Sequence, residues 1–234
     1  MLHLSRSPVT GVLACLFATL ALGAAPDVAA KDAPPEVTPE GLHLQKHTKS
    51  RLVYVRPGAS LAQYKRVAIL DCLVEFEKDW QRDYNRSRVG LAEKVSDDDV
   101  ERMKSGLAEE FKKVFARELQ DKNGYEVVGV AAPDVLVLRP ALINVEVNAP
   151  DLMSPGWGRT VVRSAGQMTL FLELWDSTSS TLLARVLDAQ EADSGMAQVA
   201  SRVYNKAEAD RVLQEWASEL RKHLDAAQKG SATP

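Results

Sequence analysis

The run Gln167-Met-Thr-Leu-Phe-Leu-Glu-Leu-Trp-Asp-Ser-Thr-Ser-Ser180, continued by Thr181-Leu-Leu-Ala-Arg-Val-Leu187, decides the fold class. Met168, Leu170, Leu172 and Leu174 alternate against Gln167, Thr169 and Glu173, the period of two that sends successive side chains to opposite faces of a strand. Asp176 to Ser180 is turn chemistry, and Leu182 to Leu187 reads as a second strand. The run therefore predicts an antiparallel hairpin.

Working outward, Val135 to Val147 predicts a longer strand, interrupted at Arg139-Pro140, where the missing amide implies an edge or a bulge. Its second half sets Ile143, Val145 and Val147 against Asn144, Glu146 and Asn148, so one face is wet. Tyr125 to Val130 is a shorter candidate. Arg66 to Phe76 places Ala68, Leu70, Cys72, Val74 and Phe76 on one face, and Leu52 to Val55 is a strand closed by Pro57-Gly58. Between these strands, Ser96 with Asp97, Asp98 and Asp99 opens a helix whose stripe is Val100, Met103, Leu107, Phe111, Val114 and Phe115; Asn123-Gly124 ends it. A last amphipathic helix begins at Asn205, with Glu208 completing a capping box, and carries Val212, Leu213, Trp216, Leu220 and Leu224. This order predicts an α+β fold: a mixed, largely antiparallel sheet with two amphipathic helices packed on one face. Residues 51–228 form the domain, 31–50 a flexible lead-in rich in Pro, Lys, Glu and His, and 229–234 a tail.

Residues 1–30 read as a secretory signal peptide: Arg6 is its charge, Val9 to Ala25 its apolar run, and Val28-Ala-Ala30 a small-residue cleavage site preferred over Ala21-Leu-Gly23. The expected location is the periplasm. Cys15, after Val12-Leu-Ala14, lies inside an apolar run that continues beyond it. No lipid anchor is expected there, nor any membrane span after cleavage. Cys72 is then the sole remaining thiol, so no intramolecular disulfide can form. The net charge of −3 gives no electrostatic case for nucleic acid as a partner.

No coherent catalytic set emerges. His43 and His47 stand four apart, but in a segment that reads as unstructured and lacks a third ligand, so no metal site is assigned. His223 suits a helix carboxyl end, Cys72 reads as a small buried hydrophobe, and Asp97 to Asp99 answer the helix dipole. Neither a Gly-x-Ser-x-Gly elbow nor a glycine-rich phosphate loop is present, and no cofactor is expected. Two predicted loops mix aromatic and guanidinium side chains, the kinds that anchor interfaces. One, from Trp80 to Arg88, offers Trp80, Arg82, Tyr84 and Arg86. The other, from Met153 to Arg159, offers Trp157 and Arg159.

Tyr54-Val-Arg-Pro-Gly-Ala59, then Leu61, Tyr64 and Val67-Ala-Ile-Leu-Asp71, resembles the opening of a family of bacterial envelope proteins catalogued as domain of unknown function 3313. Pro133-Asp-Val-Leu-Val-Leu138, Asn144 and Leu172-Glu-Leu-Trp-Asp-Ser177 extend the resemblance over Ser50 to Leu224. Many members look like lipoproteins, from which this chain departs at Cys15. The resemblance implies an envelope location and a domain extent, and transfers no activity to any residue. The expected function is a non-enzymatic periplasmic binding or assembly module, whose partner is another envelope protein or a second copy of itself. The alternative is a small-ligand receptor or enzyme with a pocket between helices and sheet.

Overall fold

The computed structural model describes residues 33–86, 94–148, 161–199 and 202–231. Residues 1–30, read above as a signal peptide, with Cys15, and Trp157 and Arg159 lie outside the described residues. In chain order the elements are β1 (His43–His47), β2 (Arg51–Val55), β3 (Arg66–Ile69), β4 (Leu73–Phe76), α1 (Trp80–Arg86), α2 (Asp97–Gln120), β5 (Glu126–Val127), β6 (Val135–Val147), β7 (Val161–Asp176), β8 (Leu182–Val199) and α3 (Arg202–Ser231). They make one sheet ordered β1-β2-β8-β7-β6-β3-β5, with β4 continuing the β3 side of β6. The β1–β2, β2–β8, β8–β7 and β7–β6 pairs are antiparallel. The β3–β6, β4–β6 and β3–β5 pairs are parallel, joined through the α2 crossover. The fold is the expected α+β arrangement, mixed and mostly antiparallel. Among the described residues no helix is long and apolar enough to cross a membrane.

Both long helices lie on the same sheet face. Phe111, Val114, Phe115 and Leu119 of α2 and Val212, Leu213, Trp216, Ala217, Leu220 and Leu224 of α3 are buried in one core with Leu136, Leu138, Leu142, Met168, Leu170, Leu172 and Leu174. Phe111 and Phe115 stack at 3.9 Å between ring centroids. Across the carboxyl end of α2, Arg221 of α3 donates through Nη1 to the carbonyls of Glu118, Leu119 and Asp121 at 2.9–3.1 Å, satisfying acceptors that a helix end leaves open.

The hairpin turn is organised by Asp176, which is buried at 9% exposure. Its Oδ1 accepts from the amides and hydroxyls of Thr178 and Ser179, and its Oδ2 from the Tyr64 hydroxyl at 2.8 Å. These donors, led by the Ser179 amide, hold its carboxyl far below the usual carboxylate range. A carboxylate depressed in the folded state stabilises at pH above its unfolded value of about 4 and loses that contribution as pH falls toward the folded value. The denaturation midpoint is therefore expected to fall below about pH 4, with a shallower decline in Asp176→Asn. Denaturant titrations across pH check this, and identical slopes for the two proteins would contradict it.

Four features depart from the sequence expectation. The strand expected over 66–76 breaks into β3 and β4, and the break reverses the buried parity: Val67 and Ile69 face the core before it and Cys72 and Val74 after it, while Leu70 is 46% exposed. Pro140 accounts for the break, because it lies in a central strand and not at an edge. The Leu70 amide donates to the Leu138 carbonyl at 2.9 Å. A parallel ladder would next bond the amide of residue 140 back to the Leu70 carbonyl, and proline has none. The neighbouring strand leaves the ladder and rejoins at Leu73–Ala141.

The segment expected to be a flexible lead-in instead carries β1. Its Thr38–Leu42 turn is closed by the Thr38 hydroxyl accepting from the Leu42 amide at 3.2 Å, and fully buried Leu42 packs with Tyr54 and Leu182 on the face opposite the helices. Two leucines among charged neighbours suffice because the exposed edge of β2 supplies the ladder. The expected loop at Trp80 begins as helix α1, and α3 starts three residues before Asn205.

Candidate functional site

Trp80, Arg82, Tyr84 and Arg86 all sit on α1, and they divide by helical spacing. Asp79, at φ +66°, turns the chain from β4 into the helix. Trp80 and Tyr84, one turn apart, stand in a ring series with Phe76, at centroid distances of 4.5 and 5.8 Å. Arg82 and Arg86 point their charges to local carboxylates: Arg82 to Asp79 at 2.8 Å and Asp83 at 3.1 Å, Arg86 to Asp83 at 3.4 Å. Gln81 and Asn85 bind the Val95 backbone at 2.7–3.2 Å, which fixes α1 against the segment leading into α2. The structure thus brings Trp80 and Tyr84 to Phe76 and leaves the two arginines on the surface.

Phe76 also lines a cleft of about 930 Å³ between helices and sheet, where the alternative reading placed a pocket, although no residue of it was singled out as a site residue. Ser96 and Asp99 cap the start of α2 reciprocally, and the Ser96 hydroxyl and amide hold the Asp99 carboxyl down at about 2. Beyond this cap the buried stripe begins only at Phe111. The first three turns of α2 therefore stand away from the sheet, and the ends of β6 and β7 with the start of α3 complete the enclosure. Leu107, Val145, Val147, Met168 and Ala209 give it an apolar lining.

Two glycines shape this space. Gly166 has φ +147°, and a Cβ there would lie 1.8 Å from the Glu146 carbonyl oxygen, so the β6 backbone approaches β7 as only glycine permits. The register shifts there, between Ile143 and Glu146. Gly106 is different: it lies within α2 on the cleft wall, and a Cβ built on it meets nothing within 4 Å.

The rim is charged. Glu110 accepts from Lys206 at 2.7 Å and Lys113 at 3.2 Å, and Lys206 stands 3.7 Å from Asp210. Lys206 is the main cause that holds Glu110 below its ordinary value, and Glu110 in turn raises Lys206. Each partner thus moves the other away from neutrality, opposite to the direction expected of a group that exchanges protons at neutral pH. Ser105 donates to the Glu101 carbonyl at 2.9 Å and has no activating base among the described residues. Cys72 is buried away from the cleft, its thiol pushed up to about 12 by burial. His43 and His47 occupy opposite ends of β1, about 13 Å apart at strand rise, too far to share an ion. Among the described residues no group of three or more metal-ligating side chains converges.

Gly106 in the middle of a helical pattern was the one local signal for this cleft. The rest arises from chain packing. The other residues the sequence singled out, Trp157 and Arg159, lie outside the described residues.

Several solved structures are similar at low identity. A PelC dodecamer from Paraburkholderia phytofirmans is 13% identical, covering 73% of this chain and 98% of its own, with a TM-score of 0.37. Protein XCC0632 from Xanthomonas campestris, of the DUF330 family, is 13% identical over 75% and 93%, with a TM-score of 0.41. A putative neuraminyllactose-binding hemagglutinin homolog from Helicobacter pylori is 12% identical over 76% and 96%, with a TM-score of 0.31. These distant likenesses assign no activity to any residue. No curated protein matches the chain. Residues 40–220 match the family described as protein of unknown function DUF3313, and the chain belongs to that family.

Proposed function

We propose that this protein is an exported, non-enzymatic binding module of the bacterial envelope, and that its ligand occupies the cleft between α2, α3 and the ends of β6 and β7. The carrying observation is the cleft itself, an apolar-lined space of about 930 Å³ beneath a charged rim, within the size range of small-molecule sites. Export rests on the Val9–Ala25 apolar run and the Val28-Ala-Ala30 site. The ionised Glu110–Lys206 pair favours a binding role over proton-transfer chemistry.

Gly106 supports the same reading. A glycine inside a helix weakens it by about 1 kcal/mol relative to alanine, and here the missing side chain leaves the cleft wall open. Gly106→Ala is expected to stabilise the protein by about 0.5–1 kcal/mol in urea denaturation. Gly106→Trp is expected to fold and to close the cleft. The neutral dye N-phenyl-1-naphthylamine tests both statements: wild type should bind one equivalent with enhanced fluorescence, and Gly106→Trp should bind none. Equal binding by the two proteins would remove the cleft from consideration.

A further inference from the structure

Resting on the cleft as the binding site, we infer that its ligand class is a small cationic amphiphile: an apolar chain or ring system carrying an amine, a quaternary ammonium or a guanidinium. The lining holds six carboxylates against two cations, Arg102 and Lys206, and both cations already have carboxylate partners. Arg102 is paired with Asp99, outside the lining, and Lys206 is bound to Glu110. Glu101 is matched by Lys104 at 2.9 Å.

That leaves three lining carboxylates, Asp98, Glu109 and Glu146, without a cation within 4 Å among the described residues. Asp210, whose neighbouring cation is the Lys206 already bound to Glu110, is the most informative carboxylate of the lining. Its Oδ1 is buried and has no hydrogen-bond partner, with Lys206 Nζ at 3.7 Å, beyond hydrogen-bonding reach. A buried polar atom without a partner is uncommon in folded proteins, because its desolvation goes uncompensated. A donor brought by a ligand would supply the missing contact. The two halves of the proposed ligand follow from the two halves of the site. Leu107, Val145, Met168 and Ala209 would remove an apolar body from water, and the excess carboxylates would select the sign of the charge it carries. An anionic amphiphile of equal length would meet the same apolar surface and the opposite electrostatics, and a neutral one would gain only burial.

The test compares decyltrimethylammonium, the neutral decyldimethylamine oxide at pH 8, and decanoate, each below micelle formation, by isothermal titration calorimetry with the full mature chain. The cation should bind at 1:1 and about ten-fold more tightly than the amine oxide, with decanoate weakest, as expected for a partly desolvated charge interaction. In Glu109→Gln/Glu146→Gln/Asp210→Asn the difference between cation and amine oxide should shrink to about two-fold while amine oxide affinity holds. Cation and amine oxide binding equally, both lost in Gly106→Trp, would overturn the charge inference and leave the cleft as a site. An undiminished preference in the triple variant would also overturn it. No binding of any of the three would overturn the cleft reading itself, and this inference with it.

Discussion

Gly166→Ala is expected to destabilise the protein by more than about 4 kcal/mol, the range reached when a substitution collides with backbone that cannot yield. The added Cβ would sit 1.8 Å from the Glu146 carbonyl oxygen and 2.8 Å from its carbon, both backbone atoms. At φ +147° an alanine is strained regardless of the space around it. The chain could relieve the contact only by parting β6 from β7 at the Glu146–Gln167 and Val147–Gly166 pairs, which would dismantle one wall of the cleft. Urea denaturation followed by circular dichroism measures the loss. A variant within 1 kcal/mol of wild type would mean that the bulge does not have this geometry.

Asp188→Ala is the second large effect, expected at about 3 kcal/mol, near the lower end for breaking a buried ion pair. Asp188 is 3% exposed and accepts from Arg51 Nε at 2.9 Å and from the Trp216 indole at 3.0 Å, joining β2, β8 and α3. Removal leaves a guanidinium that is only 18% exposed without its inner partner. Two features moderate the cost. Arg51 keeps Glu219, and the amide oxygen of Gln190 can take the Trp216 proton at 3.2 Å. Glu219→Ala, whose carboxylate is 37% exposed, should therefore cost well under half as much. Equal costs for the two variants, measured in the same denaturation series, would show that the inner carboxylate is not the one that holds the arginine.

These two positions also mark where sequence reading succeeds and where it stops. The β7–β8 hairpin was legible because Met168, Leu170, Leu172 and Leu174 are buried at alternate positions and Asp176 organises a turn from its own next three residues. The α3 stripe and the Phe111, Val114 and Phe115 part of the α2 stripe were legible for the same reason, local periodicity facing one core, whereas Val100, Met103 and Leu107 are only half-buried. The β3–β4 break was not, because its cause is Pro140, about seventy residues along the chain and adjacent only in the sheet. Helix α1 was read as a loop because Trp80 and Tyr84 alone give it an apolar side, too short a pattern to separate from chance. Strand β1 was hidden among charges.

The candidate site was the least legible part. Trp80 and Tyr84 drew attention by residue type, and the fold places them behind Phe76 at one corner of the cleft. The cleft itself is defined by absent side chains at Gly106 and Gly166 and by the divergence of the first turns of α2 from the sheet. The residues around it, from Glu110 of α2 to Lys206 and Asp210 of α3, are about a hundred positions apart and share no motif.

The most direct measurement is methyl NMR of protein carrying 13C-labelled methionine methyls, titrated with N-phenyl-1-naphthylamine. Met103 and Met168 line opposite walls of the cleft, one on α2 and one on β7. Both methyl resonances are expected to move together, to saturate at one equivalent, and to stay in place in Gly106→Trp. Dye binding that leaves both resonances unmoved in the wild-type protein would contradict the cleft as the binding site.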